Sequence, residues 1–291
     1  MSGFEAVKQN LKADAWEQGG IFYHLPKLSD FEKKEIEFHD LIHQDEEEIH
    51  QLTTVRNKYY HDWFKKYLLN LPKDSTVLEI GSGSGYDAAY LVKSGLNLII
   101  SDISPQSVKG IQKKLGAKGN LIYLVADGQH LPFADGSIDA IFLVASLHHF
   151  ESEARILAEL RRVVKKGGLV VFAMEPSWFM MSFTKFFSAS KSLRIHKGHS
   201  AADETHPGYI LADWKRISSG LKVLKIKRVW LTLGFLHYGL EGIYRLLKLK
   251  KRLRVFRIFE WILLILDEIL LKIPIVRAVN WHWIVILKRK D

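Results

Sequence analysis

The chain has no cysteine. That excludes a thiol nucleophile, a disulfide framework and a thiolate metal site. It also has no uninterrupted apolar stretch near the roughly 20 residues that a bilayer-spanning helix needs. The start, Met-Ser-Gly-Phe-Glu-Ala-Val, lacks both the basic opening and the apolar centre of a secretory signal. The expected location is therefore the cytoplasm. Acids are in deficit: 32 Asp and Glu face 42 Lys and Arg, for a formal net charge of +10. Such a surplus suits nucleic acid or an anionic membrane, so the position of the bases decides its meaning. Hydrophobic residues make up 47% of the 291. That is ordinary for a globular protein and enough for one full domain plus an extension.

What the chain does have is concentrated at Val77 to Gly85, which reads Val-Leu-Glu-Ile-Gly-Ser-Gly-Ser-Gly. An apolar strand runs straight into a glycine-rich turn. Glycines on alternate positions let the backbone turn sharply and approach a ligand with no Cβ in the way. A helix starting near Tyr86 would aim its amides at the same spot. Glu79, just before the turn, disfavours a phosphate and suits a cationic group or hydroxyls. The dinucleotide fingerprint G-x-G-x-x-G fits Gly81 and Gly83 but fails at Tyr86. The pattern is E-x-G-x-G-x-G.

Strand and helix then alternate. Asn97 to Asp102 is a short buried-strand pattern ending in an acid, and Ser104-Pro105 opens a helix as N-cap and first helical residue. Leu121 to Asp127 repeats the device. Ser137 to Leu147 is a fourth apolar strand, and Ser152 to Val164 has helical spacing with Ile156, Leu157, Leu160 and Val163 on one face. Leu169 to Met174 is a fifth strand. Such alternation predicts a parallel sheet with covered faces, whose ligands bind beyond the carboxyl ends of its strands. Glu79, Asp102, Asp127, Ser146 and Glu175 all lie at those ends. Each acid alone would read as an N-cap or a solvated strand end; several at successive strand ends predict one cleft.

Over about Tyr59 to Trp178 this ordered set resembles the class I S-adenosylmethionine-dependent methyltransferases, specifically the methyltransferase type 11 group. The segment Asp127 to Asp139, Asp-Gly-Gln-His-Leu-Pro-Phe-Ala-Asp-Gly-Ser-Ile-Asp, is similar to that group's D-x-x-x-L-P-F-x-D-x-S-F-D signature, and Ser146-Leu-His-His-Phe150 matches its post-strand segment. The resemblance implies an α/β Rossmann-like fold, with a mainly parallel seven-stranded sheet, helices on both faces and a last strand inserted antiparallel beside its predecessor. It implies S-adenosyl-L-methionine as cofactor. Gly81, Ser82, Gly83 and Gly85 would line its methionine part, Glu79 would help hold its amino group, and Asp102 would take the ribose hydroxyls. Ile103 would lie on the adenine face, Asp127 would accept from the adenine amino group beside Gly128, and Ser146 would flank the sulfur. Cysteine-dependent relatives of this core, the RNA cytosine C5 and arsenite enzymes, are disfavoured by composition.

Four segments are expected: a helical N-terminal extension or lid over 1–74, the core over 75–236, a basic amphipathic helical insertion over 237–280, and the last strand over 281–291. In the extension, Tyr59, Tyr60, Trp63, Phe64 and Tyr67 form an aromatic stripe. Such a stripe is ordinarily core, but in the family the equivalent helix often closes over the cofactor, which makes Tyr60 a candidate contact. Asp45 to Glu48 reads as a solvated acidic face. His39 and His43, four apart with Asp40 nearby, read as an exposed helix face or a metal pair. Val223 to Leu233 and His282 to Leu287 fit the last two strands. Between them Arg245, Lys248, Lys250, Lys251, Arg252, Arg254 and Arg257 come with no acid, followed by Phe259, Trp261 and a leucine-rich run. This stretch fits an anionic membrane surface through 245–272. It fits equally a helix packed on the core or on the second subunit of a homodimer. Nucleic acid is disfavoured, because Ser-Leu-His-His stands where amino-methylating DNA enzymes carry Asn/Asp-Pro-Pro-aromatic.

Methyl transfer needs a positioned nucleophile and a base for its proton. His148, His149 and Glu175 are the candidates; in the family histidines here are often structural. His196, His199, Asp203, Glu204 and His206 read as a polar substrate loop rather than a metal site, and no residue set is assigned to a metal. The expected function is a cytoplasmic methyltransferase, peripheral at the inner membrane face, acting on oxygen or carbon of a small or lipid-linked acceptor. Two alternatives stay open: a methyltransferase of a soluble sugar or natural product with the insertion as lid or dimer arm, and a cofactor-binding protein without transfer activity.

Overall fold

Short apolar runs broken by glycine and acid build the sheet. In the computed structural model, which describes residues 3–42, 55–188, 200, 202, 205–237, 239 and 256–290, the strands are β1 (Trp16–Gln18), β2 (Ile21–His24), β3 (Thr76–Ile80), β4 (Asn97–Asp102), β5 (Leu121–Ala126), β6 (Ile138–Val144), β7 (Val164–Pro176), β8 (Leu221–Val229) and β9 (His282–Arg289). Their order across the sheet is β1-β2-β5-β4-β3-β6-β7-β9-β8. Strands β2 and β5 through β7 in that order pair in parallel, while β9 runs antiparallel between β7 and β8. This is the expected mainly parallel arrangement with the inserted last strand.

The sheet has nine strands rather than seven, and the N-terminal extension is not purely helical. Gly19 and Gly20, both at positive φ (62° and 76°), make the two-residue turn of a hairpin between β1 and β2. Ile21, Phe22 and Tyr23 bury themselves by adding β2 to the free edge of β5. At the other end, β8 stops at Val229 rather than Leu233. Trp230 takes φ 60°, and the chain from Thr232 to His237 is helical.

The helices are α1 (Gly3–Asp14), α2 (Asp30–Ile42), α3 (Val55–Leu69), α4 (Tyr86–Leu91), α5 (Pro105–Leu115), α6 (Glu153–Val163), α7 (Trp178–Ser188), α8 (Leu211–Ile217) and α9 (Phe256–Leu270). Two apolar clusters cover the two faces of the sheet. Leu78, Ile80 and Ile99 contribute to one; Val77, Leu98 and Ile100, their neighbours along the same strands, contribute to the other. That alternation follows from the two-residue period of a strand. Ser104 caps α5 by accepting from the Ser107 amide at 3.0 Å, with Pro105 in the first turn. The expected face of α6 (Ile156, Leu157, Leu160, Val163) is buried.

Helix α9 is built the other way round. Its buried positions include Glu260 and Asp267, while Ile258, Phe259, Trp261, Ile262, Ile265 and Ile269 are each more than half exposed. The inward acids are all used. Glu260 accepts from the Val55 amide at the start of α3 (3.0 Å). Asp267 accepts from the amides of Leu231, Thr232 and Leu233 and from the Thr232 hydroxyl. Glu268 takes Tyr60 Oη at 3.0 Å and Lys227 Nζ at 2.6 Å. Of the basic run, Arg245 to Arg254 lies outside the described residues, as do His43, Asp45 to Glu48, His196, His199, Asp203 and Glu204.

Candidate functional site

Beyond the carboxyl ends of β3 to β8 lies a cavity of about 910 Å³. A pocket for one small molecule usually holds about 300–1,000 Å³, so this volume is at the upper end. Glu79, Gly81, Ser82, Gly83, Asp102, Ile103, Asp127, Gly128, Ser146, His148 and His149 all line it. Gly85, Tyr60 and Glu175 do not. Gly85 is the residue before α4, packed against Ile111. Tyr60 is fully buried in the core, its hydroxyl held by Glu268. The aromatic stripe is thus core packing beneath α9. Glu175 is buried behind the wall.

The glycine turn is tight because other groups already occupy the space. A Cβ on Gly81 (φ 70°) would lie 2.1 Å from Ser146 Oγ, and one on Gly128 would lie 2.8 Å from the Phe150 ring. Under this turn Glu79 is buried, and its Oε2 has no hydrogen-bond partner. Burial, and then the Asp87 carboxylate, push its pKa well above the carboxylate range. Asp87 itself is held by His61 Nδ1 and by the fully buried Lys65, each at 2.9 Å. A buried carboxylate oxygen with an unmet acceptor site fits a cationic amino group, which would restore its charge.

Asp102 accepts the Gly83 amide on Oδ2 (2.8 Å) and the Ser104 amide on Oδ1 (2.9 Å). Each oxygen keeps a lone pair, so the pair can still accept a diol. Asp127 is more engaged: Oδ1 takes the Gln129 amide and Oδ2 the His130 ring, both at 2.9 Å. The glycine cradle, the orphaned Glu79 oxygen and the Asp102 carboxylate together fit S-adenosylmethionine.

Glu175 accepts the amides of Ser146 (2.9 Å) and Leu147 (2.8 Å) on one oxygen and His148 Nδ1 on the other (2.9 Å). Burial alone would raise its pKa, but His148 and the two amides lower it below the ordinary value. It is a carboxylate that aims His148 and the turn after β6, not a group open to an acceptor.

Sequence reasoning missed the contribution of α2. Glu32, Glu35, Phe38 and His39 all line the cavity. Glu35 Oε2 meets His149 Nδ1 at 2.9 Å and His39 Nε2 at 3.5 Å, while its Oε1 accepts the Ala202 amide at 3.1 Å. Burial pushes the Glu35 carboxyl up, but the two imidazoles hold it at about 2. The only available sequence signal was the Glu35–His39 spacing of four, one helical face. Missed too were Met180, Met181, Trp230, His237 and His282, which wall the cavity beyond β7 and β8. Of the four non-glycine residues at positive φ among those described, three (Ala145, Met174 and Trp230) sit on this wall, where backbone strain commonly collects.

Residues 78–172 match the family described as methyltransferase domain. Over 104 residues the chain is 38% identical to 2-methyl-6-phytyl-1,4-hydroquinone methyltransferase of Synechocystis, covering 35% of this chain and 33% of that one. Over 101 residues it is 34% identical to malonyl-(acyl-carrier protein) O-methyltransferase of Hamiltonella defensa, covering 35% and 38%. The chain thus spans between a third and two fifths of the length of these relatives. The N-methyltransferase NodS of Bradyrhizobium japonicum, solved with S-adenosyl-L-homocysteine, has a TM-score of 0.57 at 10% identity and covers 89% of this chain and 100% of that one. At that identity the likeness is one of fold.

Proposed function

We propose that the chain, whose residues 78–172 match the methyltransferase domain family, is an S-adenosylmethionine-dependent enzyme that methylates an oxygen or carbon of a lipid-linked acceptor, drawn from an anionic membrane surface. S-adenosylmethionine, when bound, supplies a methyl group already activated on a sulfonium. The residues that would hold it are Glu79 at the amino group, the backbone at Gly81 and Gly83, and Asp102 at the ribose. The remaining work falls to the far half of the cavity.

There His148 is the base that the geometry favours. Its Nδ1 donates to the Glu175 carboxylate at 2.9 Å. In the neutral ring that leaves Nε2 as the nitrogen able to accept a proton. Glu175 fixes the ring by the same carboxylate that fixes the Ser146 and Leu147 amides, so base and cavity wall are positioned together. Met180, Met181 and Trp230 give that half an apolar strip beside its polar groups, which suits an acceptor with a hydrocarbon part.

The acceptor class is carried by one observation, the outward apolar face of α9. A row of isoleucines, Phe259 and Trp261 facing water would cost stability with no return, whereas the same row in a membrane interface is favourable. The run of bases just before it would meet anionic head groups. Asp267 ties α9 to residues 231–233, next to Trp230 on the cavity wall, so a docked α9 brings the cavity to the surface. The relative from Synechocystis, whose name carries a phytyl hydroquinone, adds weight to a lipid-linked acceptor.

Methyl-labelled S-adenosylmethionine offered with a total lipid extract and, separately, a total polar extract tests this. Label should enter the lipid extract, and His148→Gln should slow it about 10²–10⁴-fold. Label entering only the polar extract would replace the reading with a soluble acceptor. No label in either would leave a cofactor-binding protein.

A further inference from the structure

We propose that Glu35, His39 and His149 form a binding site for one zinc-type divalent cation in the acceptor half of the cavity. Two of the three ligands stand one turn apart on α2, and the third comes from the turn after β6. The fold brings their donor atoms to one point. Glu35 Oε2 lies 2.9 Å from His149 Nδ1 and 3.5 Å from His39 Nε2, and each of the three residues offers one donor atom within 4.8 Å of the others. A tetrahedral zinc with bonds of about 2.0–2.2 Å has ligand–ligand edges of about 3.4 Å. The observed triangle therefore needs only small ring movements to surround an ion.

The surroundings fit as well. Glu35 is held from behind by the Ala202 amide on its other oxygen, the kind of outer contact that fixes a ligand's orientation. The set is two imidazoles and one carboxylate, which suits zinc and disfavours magnesium or calcium. Three protein ligands among the described residues would leave room for a substrate atom as a fourth, as in zinc sites that act on a substrate. All three residues line the cavity, so an ion held by them would face whatever enters it. A hydroxyl or phenol oxygen is the ligand class it would take, and its proton would be acidified by the ion. A hydrogen-bonded trio alone would explain two rings on one carboxylate, but it has no use for their placement on the cavity wall.

The site can be tested without turnover. The full chain, stripped with chelator, is titrated with Co²⁺ and followed by visible absorption and equilibrium dialysis. One equivalent should bind with the d–d bands of a low-coordinate nitrogen–oxygen site, and Zn²⁺ should displace it. His39 is part-exposed on α2, so His39→Ala should fold normally and keep its affinity for S-adenosylhomocysteine. It should bind Co²⁺ at least about 100-fold more weakly, since even an outer contact is worth about 10–100-fold. Glu35→Gln should behave likewise, whereas His196→Ala with His199→Ala should bind as wild type. The proposal is overturned if the stripped chain binds no stoichiometric Co²⁺ or Zn²⁺. It is also overturned if Glu35→Gln with His39→Ala still binds one equivalent with the same spectrum, which would put the ion elsewhere.

Discussion

Helices α6 and α9 are both amphipathic, and they face opposite ways. α6 buries Ile156, Leu157, Leu160 and Val163 against the sheet and leaves its charges outside. α9 buries Glu260 and Asp267 and leaves its isoleucines, Phe259 and Trp261 outside. The difference teaches that a helical period reveals two faces without saying which one is inside. In α6 the apolar face is the one that binds the core. In α9 the inward contact is made by Leu264 together with Glu260 and Asp267, whose carboxylates accept from backbone amides, and the rest of the apolar face is exposed.

Removing the polar anchor should have the largest effect. Asp267→Ala strands three backbone amides and a hydroxyl around residues 231–233. At about 1–3 kcal/mol for each buried unmet donor, stability should fall by at least about 3 kcal/mol, measured by urea unfolding. A loss under about 1 kcal/mol would mean that α9 does not depend on its inward acids.

The next comparison pairs one apolar residue from each helix. Leu160→Ala in α6 should cost about 2–5 kcal/mol, as for other buried leucines. Ile265→Ala in α9 should cost less than about 0.5 kcal/mol, as for a surface position. Equal losses would show that the outer face of α9 is covered by protein.

A smaller effect is expected from pH. Burial, followed by the nearby His148, lowers His206 to about 4 and His282 to about 3. Both rings are neutral in the fold, so below an unfolded value of about 6.5 the unfolded chain binds the extra protons. Stability should be full above that value and decline as pH falls from 6.5 toward 4. His282→Gln should flatten the decline. A wild-type curve that is level between pH 7 and 4 would contradict the buried neutral state of these rings.

The legible part of this molecule is its local part. The strands β3 to β7, the Ser104 cap and the inward face of α6 each follow from a period or a cap within a dozen residues. The cofactor half of the cavity gathers contiguous turns at successive strand ends, so one motif pass finds most of it. The far half joins Glu35 and His39 to His149, more than a hundred residues away, and nothing in the spacing announces that. Tyr60 failed as a cavity residue for the same reason, because its partner Glu268 is 208 positions on. The hairpin of β1 and β2 was hidden because two very short strands leave a weak period, although Gly19-Gly20 marked the turn. The direction of α9 could not be read at all, since the pattern is the same whichever face is buried.

Flotation with anionic vesicles tests the outward face of α9 most directly. At low salt the wild-type chain should rise with the vesicles, more so as anionic lipid increases. It should sink as salt is raised, because each base near the surface contributes about 1 kcal/mol of screened attraction. Charge reversal at Lys250, Lys251 and Arg254 should keep it at the bottom without changing its affinity for S-adenosylhomocysteine. Wild-type protein that stays at the bottom at low salt, whatever the lipid, would contradict the account and return α9 to the role of a lid or subunit contact.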